Sequence, residues 1–553
     1  MFSLTDVPFS YFESWMSISI PRKETDLFLR NCHNGPHNIC PIQMLVKDEV
    51  VEPEVTALPW SLILSHGDTR VEICFENADT IRLRGRGATL ILGKRNLIYS
   101  EAPNRAVINE RAAFRRYQME ALRGTIELKQ VVPTQRVFPK TAHVHPGPDG
   151  CWELAIDEFW STWTPRDRGT FDDCLAAAER TFKAFLATMP EARDQDQPAR
   201  ELAAYVNWSS TVGPCGLLER PTLFMSKNWM CNVWSWDQCF NAMALAGGQP
   251  DLALDQMLVL VDHQDEFGSY PDSVNDQVKH YNFSKPPVHG WAFREILKRL
   301  PKPPSSEVMR TMYVSLRRQA DWWMTHRRGE GGRLPYYLHG NDSGWDNSTM
   351  FDQGVPLTAP DLAALLITQM DVLSGLAGQV GESEVTAQSW KTRANELQVA
   401  LMDELWRGDH FVAISGCTGQ EVESHSLIPW LPIILGERLP KDIRNSLKNG
   451  VASHLTEWGL ATEHVDSPKY NPDGYWTGPI WGPSTYLAVT GLDRCGFTEL
   501  ADEISNRFCK LCGMSGFAEN YDALTGKGLC DLAYTWTASV FLLLAERMTG
   551  RDT

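Results

Sequence analysis

The sequence predicts an antiparallel β-sandwich followed by a domain of paired helices. Between about residues 55 and 165, apolar and polar residues alternate with period two, as they do in half-buried strands. Near Phe171 the apolar period changes to that of a helix, and it stays helical toward the C-terminus. We therefore divide the 553 residues into an N-terminal β-sandwich domain (1–170), a helical linker (171–198) and a helical domain (199–553).

Composition and charge indicate a folded protein and exclude several classes of partner. The chain has 43 % hydrophobic and 22 % charged residues, and its formal net charge of −17 argues against nucleic acid or phospholipid headgroups as the main partner. The thirteen cysteines are odd in number and form no CxxC pair, so no disulfide framework is expected. The first twenty residues lack the basic start and continuous apolar core of a signal peptide, and no stretch has the 18 or more apolar residues of a membrane span, so we expect neither. We expect a cytoplasmic protein, and a homo-oligomer stays possible.

The β-domain is expected to have a structural role. Its alternating segments lie between Gly, Asn and Pro turns and include Thr69–Phe75, Thr80–Arg84, Tyr117–Leu128 and Trp152–Ile156. These segments carry no group of His, Cys and carboxylate residues that predicts a site. We therefore expect this domain to pack against the helical one and support it.

Helical segments fill the rest of the chain. After Asp172–Met189, the clearest are Trp236–Ala246, Leu252–His263, Gly290–Leu300, Glu307–Arg327, Asp361–Leu376, Val385–Trp406, Ile443–Leu455, Thr498–Leu511 and Thr535–Met548. In the segment from Asp361, leucines at helical spacing predict one apolar stripe, with Thr358 as N-cap and Pro360 in the first turn. The helices show no fixed sequence repeat, which favours a closed double ring over a solenoid.

The connections between these helices differ in composition. Trp, Gly, Asp and Glu are concentrated near residues 229–240, 265–290, 336–354, 466–486 and 515–536. If helices alternate up and down, every second connection lies at the same end of the ring. One end is therefore predicted to carry a single aromatic pocket lined by carboxylates.

Two loop carboxylates, Asp346 and Glu519, are the candidate acid and base. Hydrolysis of a glycosidic bond needs one carboxylic acid to protonate the leaving oxygen and one carboxylate to activate water or attack the anomeric carbon. The indole of Trp345 should lower the dielectric around Asp346 and raise its pKa, as a general acid requires. Glu519 has small and polar neighbours, so we expect a wetter setting in which it stays ionised as the base.

Aromatic residues near these carboxylates fit a sugar ligand. The chain contains 20 tryptophans, and a flat indole with one polar edge suits the C–H face of a sugar ring. Asp237 is either a helix N-cap or a carboxylate that binds sugar hydroxyls. His289 could contact the substrate or be structural. The loops also offer Trp234, Trp236, Gly344 and Trp345 as residues that could bind a sugar.

Four segments together resemble those of glycoside hydrolase family 63. They are WSWDQCF from Trp234, SGWDNS from Ser343, GYWTGPIWGPSTY from Gly474 and AENYDALTG from Ala518. The family includes processing and bacterial α-glucosidases and shares a clan with the family 37 trehalases. The resemblance covers about residues 200–550 and implies an (α/α)6 barrel behind a β-sandwich, inversion at the anomeric carbon, and no cofactor or catalytic metal. It also implies that Asp346 is the general acid and Glu519 the general base. By the same resemblance, Trp236 and Asp237 lie in the sugar subsite, Trp476 and Trp481 line it, and Tyr521 lies beside the base.

The function we expect is that of an inverting, exo-acting α-glycosidase, foremost an α-glucosidase acting on small oligosaccharides or glucosides. Trehalase, or a hydrolase of glucosylglycerate or mannosylglycerate, is the alternative within the same class. An acidic aglycone would need a cation in the pocket, for which Lys285 and Arg294 are the candidates. A non-catalytic carbohydrate-binding protein on the same barrel is the alternative from another class. His263, Asp265 and Glu266 lack a second ligand cluster, so no metal site is predicted.

Overall fold

The computed structural model describes residues 1–130 and 140–550 and divides into two compact units. The first comprises Met1–Ala187, Ala204–Asn232 and Asn275–Val278, and the second comprises Thr188–Ala203, Val233–Val274 and Lys279–Thr553. The residues predicted as a linker, 171–198, are shared between the two units. Two later segments of the chain return to the first unit.

Antiparallel strands make up most of the first unit. They are β1 (Phe9–Ser10), β2 (Met16–Ser19), β3 (Leu27–Asn31), β4 (His37–Val46), β5 (Glu49–Val51), β6 (Glu54–Leu58), β7 (Ser61–His66), β8 (Thr69–Asn77), β9 (Thr80–Arg86), β10 (Thr89–Ala102), β11 (Arg105–Glu110), β12 (Arg115–Arg123), β13 (Thr125–Gln130), β14 (Lys140–His145), β15 (Cys151–Phe159), β16 (Thr211–Val212) and β17 (Thr222–Leu223). Helix α1 (Phe171–Leu186) follows β15 and is capped by Thr170, whose side chain accepts a hydrogen bond from the Asp173 amide.

The long strand β10 joins two sheets. One runs β10-β11-β12-β15-β9-β8-β7-β6, and the other runs β1-β2-β3-β4-β10, with β14 also paired to β10. The predicted alternation is confirmed in β8, where Val71, Ile73 and Phe75 are buried in the core while Arg70 and Glu72 lie on the wetter face. Side chains from both sheets form one hydrophobic core, which holds this unit together.

Helices make up most of the second unit. They are α2 (Gln197–Ser210), which straddles the division, α3 (Asp237–Leu245), α4 (Pro250–Val261), α5 (His289–Arg299), α6 (Ser306–His326), α7 (Gly340–Ser343), α8 (Pro360–Leu376), α9 (Glu384–Leu405), α10 (Lys441–Ser453), α11 (Gly482–Arg494), α12 (Thr498–Ser515) and α13 (Thr535–Met548). A 3-10 helix, Ile428–Arg438, precedes α10. Short strands lie in the loops: β18 (Val233–Trp234), β19 (Ser273–Val274), β20 (Lys279–His280), β21 (Leu357–Thr358), β22 (Ile414–Ser415), β23 (Asn520–Tyr521) and β24 (Gly528–Leu529).

Six helical elements close an inner ring. Each element contacts the next in the order α3, α5, α8, the 3-10 helix Ile428–Arg438, α11 and α13. Helix α13 in turn contacts α3, which closes the ring. The helices α4, α6, α9, α10 and α12 follow the inner elements in the chain and pack outside them. This confirms the closed double ring expected of an (α/α)6 barrel.

The inner elements all begin at the same end of the ring, because an outer helix returns the chain after each one. The loops before α3, α5, α8, α11 and α13 are therefore neighbours, and they contain the five stretches rich in Trp, Gly, Asp and Glu. The inner position also explains α8. Together with the 3-10 turn that follows it, α8 forms an apolar stretch, Pro360–Val380, that is long enough to span a membrane by composition alone yet is mostly buried in this unit. Its N-cap is Ala359, so the prediction of Thr358 as N-cap was wrong.

Candidate active site

Asp346 lies in a tight reversal of the chain after the single-turn helix α7. Gly344 ends α7 in the left-handed region, at φ 76°, and a Cβ there would come within 2.6 Å of the Trp236 ring. The next residues are held by Asn347, which donates to the Gly474 carbonyl at 2.9 Å and accepts from the Trp476 amide at 2.9 Å. The Asp346 loop is thus fixed to the loop that precedes α11.

Lys285 pairs with two carboxylates beside this reversal. Its Nζ lies 3.2 Å from Asp272 Oδ1 and 3.9 Å from Asp346 Oδ1, and it donates to the Asn341 carbonyl at 3.0 Å. Burial raises the pKa of Asp346, the positive charge of Lys285 opposes that effect, and the negative charge of Asp272 adds to it. The Asp346 side chain keeps 30 % of its surface exposed, so it can reach a ligand.

Glu519 is buried, with 3 % of its surface exposed. Tyr475 Oη donates to Glu519 Oε1 at 2.8 Å, and the Glu519 amide donates to the Asp531 carbonyl at 2.6 Å. Burial raises the pKa of Glu519 to about 7; the Tyr475 hydrogen bond opposes this, while the charges of Asp531 and Asp346 raise the pKa further. The wetter setting expected for Glu519 was wrong, because residues far away in the sequence cover it.

Asp237 joins the same group of charges from a third loop. It is the first residue of α3 and is buried, and Trp236 rather than Asp237 occupies the N-cap position. Burial raises the pKa of Asp237 well above its usual value, Lys285 opposes this, and the charges of Asp272 and Glu519 add to it. Asp237, Asp272, Asp346 and Glu519 therefore share one electrostatic environment with Lys285. The structure brings together both predicted catalytic residues and one predicted binding carboxylate.

The tryptophans form a packed cluster rather than exposed platforms. Trp476 and Trp481 stack with ring centroids 3.9 Å apart, and Trp345 and Trp236 lie 4.7 and 6.1 Å from Trp476. All four indoles are buried, so Trp476 and Trp481, which were predicted to line the sugar subsite, have no open face for a sugar. Trp236 also packs edge-on against Trp536, which was not among the predicted binding residues. The cluster supports the loops that carry Asp346 and Tyr475. Trp234, in the short strand β18, is half-buried.

Two other predicted binding residues are engaged within the protein. His289 is fully buried, with Nε2 3.1 Å from the Ser235 carbonyl and Nδ1 3.0 Å from Gln319 Nε2, and burial lowers its pKa to about 3. The Tyr521 hydroxyl donates to the Gly516 carbonyl at 2.6 Å. We therefore leave both residues out of the proposed substrate contacts. Arg294 pairs with its neighbour Glu295 at 3.0 Å.

Two residues of the site, Asp272 and Tyr475, were not predicted as catalytic or binding residues, and Lys285 was named only as a candidate cation for an acidic aglycone. Tyr475 stands inside the GYWTGPIWGPSTY segment, next to Trp476, so its motif could have identified it. Asp272 and Lys285 lie in the loop between α4 and α5, already noted for its composition. No local spacing relates either residue to Asp346.

Comparison with known proteins places this geometry in a family. The profile described as "Mannosylglycerate hydrolase MGH1-like glycoside hydrolase domain" matches residues 230–537. A mannosylglycerate hydrolase from Rubrobacter radiotolerans is 22 % identical over 400 residues, covering 56 % of this chain and 89 % of that protein. A glucosylglycerate hydrolase from Mycolicibacterium hassiacum is 23 % identical over 409 residues, covering 56 % and 91 %.

Solved structures share the fold. The family 63 mannosylglycerate hydrolase from Thermus thermophilus, crystallised with glucose, superposes with a TM-score of 0.55 at 19 % identity, covering 63 % of this chain and 99 % of that one. A bacterial glucoamylase complexed with acarbose gives 0.61 at 11 % identity, covering 99 % and 94 %. Since the matched profile spans more than half of the chain, this protein belongs to the mannosylglycerate hydrolase MGH1-like family and is a glycoside hydrolase of family 63.

Proposed function

We propose that the protein hydrolyses, with inversion, an α-glycoside whose aglycone is a small hydroxy acid, such as mannosylglycerate or glucosylglycerate. The observation that carries the proposal is the pair Asp346 and Glu519, which come from two loops, influence each other's charge and share their surroundings with the buried cation Lys285. The named functions of the Rubrobacter and Mycolicibacterium relatives support this choice of substrate over the oligosaccharides that we first expected.

In this mechanism Asp346 protonates the glycosidic oxygen as the bond to the anomeric carbon breaks. Burial raises its pKa and favours the protonated form that a general acid needs. Glu519 accepts a proton from a water molecule, whose oxygen attacks the anomeric carbon from the opposite face. With a pKa of about 7, Glu519 is ionised in an increasing share of molecules above neutral pH. The products are the free sugar of inverted configuration and the hydroxy acid.

Glycosyl fluorides separate the two roles, because fluoride leaves without protonation. We expect Asp346→Asn to lose hydrolysis of the natural glycoside by roughly a thousandfold or more while keeping much of its activity on an α-glycosyl fluoride. Glu519→Gln should lose both activities, since water is no longer activated. Initial-rate assays on both substrates, with NMR of the first-formed anomer, provide the measurement. Loss of fluoride hydrolysis in Asp346→Asn but not in Glu519→Gln would reverse the assignment, and an α-anomer as first product would exclude inversion.

Lys285 is the candidate partner for the acidic aglycone. It is buried next to Asp346, where the leaving group must lie, and an anionic ligand needs a nearby cation to offset its desolvation. Lys285 already pairs with Asp272, so it could instead act only by holding the carboxylates in place.

A substrate panel distinguishes these two roles of Lys285. For Lys285→Met we expect kcat/KM to fall at least about tenfold more for mannosylglycerate and glucosylglycerate than for neutral glycosides such as trehalose and maltose. Lys298→Met is the matched control, because Lys298 is exposed on α5 and pairs with nearby Glu295. Equal losses on all substrates would assign Lys285 a positioning role. A wild-type enzyme that prefers the neutral glycosides would contradict the proposed substrate.

A further inference from the structure

The first unit contains a cavity of ≈ 470 Å³ that shares no residue with the Asp346 and Glu519 site. His33, Arg115, Glu158 and Trp15 line it and are buried, while Trp160 and other side chains at its rim are exposed. Its volume falls in the range of roughly 300 to 1,000 Å³ found for small-molecule sites. Charged groups buried beside such a space are costly unless they serve the fold or a ligand.

This cavity does not have the character of a metal site. His33, Cys215 and Asp276 bring potential ligand atoms within 4.8 Å of one another. Arg115 Nη2, however, lies 3.0 Å from His33 Nδ1 and 3.3 Å from Cys215 Sγ. A guanidinium already provides the positive charge at this point, so the cluster has no need of a cation.

The lining offers both hydrogen-bond donors and acceptors with little net charge. Arg115 and Arg166 contribute two guanidiniums, and Glu13, Asp79 and Glu158 contribute three carboxyl groups. Burial raises the pKa of Glu158 to about 8, so it carries little charge at neutral pH. A cation would meet the guanidiniums and an anion the carboxylates, whereas a neutral polyhydroxylated molecule can bond to both.

Aromatic surface completes this chemistry. The Arg115 guanidinium lies 3.4 Å from the centre of the Trp160 ring and covers one face of it, yet 63 % of Trp160 remains exposed. An open indole face beside paired donors and acceptors matches the C–H face and hydroxyl edge of a pyranose. We propose that this cavity is a second carbohydrate site, which binds a neutral hexopyranose unit without cleaving it. The inference rests on the first unit alone and does not depend on the proposed function.

A fluorine label on tryptophan gives a readout at the cavity itself. In the full chain labelled with 5-fluorotryptophan, the Trp160 resonance is assigned by its loss in Trp160→Phe. We expect glucose and maltose to shift this resonance saturably at millimolar concentrations, while the Trp60 resonance, from the same unit but outside the cavity, stays in place. Glucuronate and glucosamine, which add a negative or a positive charge to the same ring, should bind roughly tenfold more weakly.

A variant at the rim provides the second test. Arg166→Met removes one donor from an exposed position and should weaken the glucose-induced shift about tenfold while leaving kcat on the catalytic substrate within about twofold of wild type. A Trp160 resonance that does not respond to glucose or maltose would overturn the proposal. An equal response to glucose, glucuronate and glucosamine would overturn it as well, and so would a response to glucose that is unchanged in Arg166→Met.

Discussion

At the scale of single residues, the environment of Glu519 depends on Tyr475. Tyr475 has a φ of 63°, a conformation that costs free energy for any residue with a side chain, and Trp481 Nε1 donates to its carbonyl at 2.9 Å. This strained backbone aims the phenol at Glu519, to which it donates at 2.8 Å. The sequence motifs predicted both carboxylates as site residues, and their catalytic roles stay predictions. It could not predict the burial of Glu519, because the covering groups come from other loops.

Removing the Tyr475 hydroxyl should shift the pH dependence of catalysis. The hydrogen bond stabilises the ionised form of Glu519 and so lowers its pKa; without it the pKa rises above about 7. Since the base must be ionised, we expect the acidic limb of the kcat/KM profile of Tyr475→Phe to move up by about one pH unit. Activity should then fall roughly tenfold at pH 6 and approach the wild-type value at high pH. The pH–rate profile of kcat/KM is the measurement.

Tyr521→Phe is the matched control for this change. The Tyr521 hydroxyl donates to the Gly516 carbonyl, so its removal should lower the free energy of unfolding by about 1 kcal/mol without moving the acidic limb. If both variants have the same pH profile as wild type, Tyr475 does not set the pKa of Glu519.

At the scale of elements, the reversal at Gly344 positions Asp346. The left-handed φ of Gly344 and the nearness of the Trp236 ring leave no room for a side chain. For Gly344→Ala we expect a loss of at least about 2 kcal/mol in the free energy of unfolding, because both the backbone conformation and the contact become unfavourable. Activity should fall more than stability alone explains, since Asp346 is two residues away. Chemical denaturation and steady-state kinetics measure the two effects.

Gly375→Ala is the control for the glycine change. Gly375 lies in α8, is exposed and has nothing within 4 Å of an added Cβ, so alanine should stabilise the protein by about 0.5 to 1 kcal/mol and leave kcat unchanged. A Gly344→Ala enzyme with normal stability and activity would show that the reversal is not required.

Helix prediction succeeded where apolar spacing was clear and failed where loop composition concealed it. The bounds of α13 were predicted as observed, whereas α11 was not among the clearest helices and its first residues were assigned to a loop. Gly482 and Pro483 begin α11, and proline is tolerated in a first turn because its missing N–H would be unpaired there. Helix α8 was predicted with a single apolar stripe, but its inner position buries it on nearly all sides.

At the scale of the whole molecule, the net charge of −17 acts against an anionic substrate. Salt screens this repulsion, since the Debye length falls from about 30 Å at 0.01 M to about 8 Å at 0.15 M ionic strength. We expect kcat/KM for mannosylglycerate or glucosylglycerate to rise roughly two- to threefold over this range, while that for a neutral glycosyl fluoride stays constant. Kinetics at several salt concentrations test this. A fall with salt would show that local cations such as Lys285 dominate the field.

The division into two units shows a feature of the fold that sequence periodicity does not predict, namely which segments of the chain pack together. The change of period near Phe171 separated strands from helices correctly, but residues 204–232 and 275–278 return to the first unit. Asp276 is one such residue; its carboxylate lies 2.9 Å from His33 Nδ1, a contact that no local pattern reveals. The cavity with Trp160 and Arg115 was missed for the same reason, because its lining comes from six separated stretches of chain.

The closed inner ring also constrains the order of events during synthesis. Asn241 of α3 bonds to Thr535 and Ser539 of α13, partners 294 and 298 residues later in the chain. The ring therefore cannot close until α13 has left the ribosome, and until then the apolar flanks of α3 and α11 lack their partner. Glu519 precedes α13 by only a short loop, so the proposed catalytic pair of Asp346 and Glu519 assembles in the same late step. A nascent chain stalled before α13 should be inactive and a substrate for chaperones.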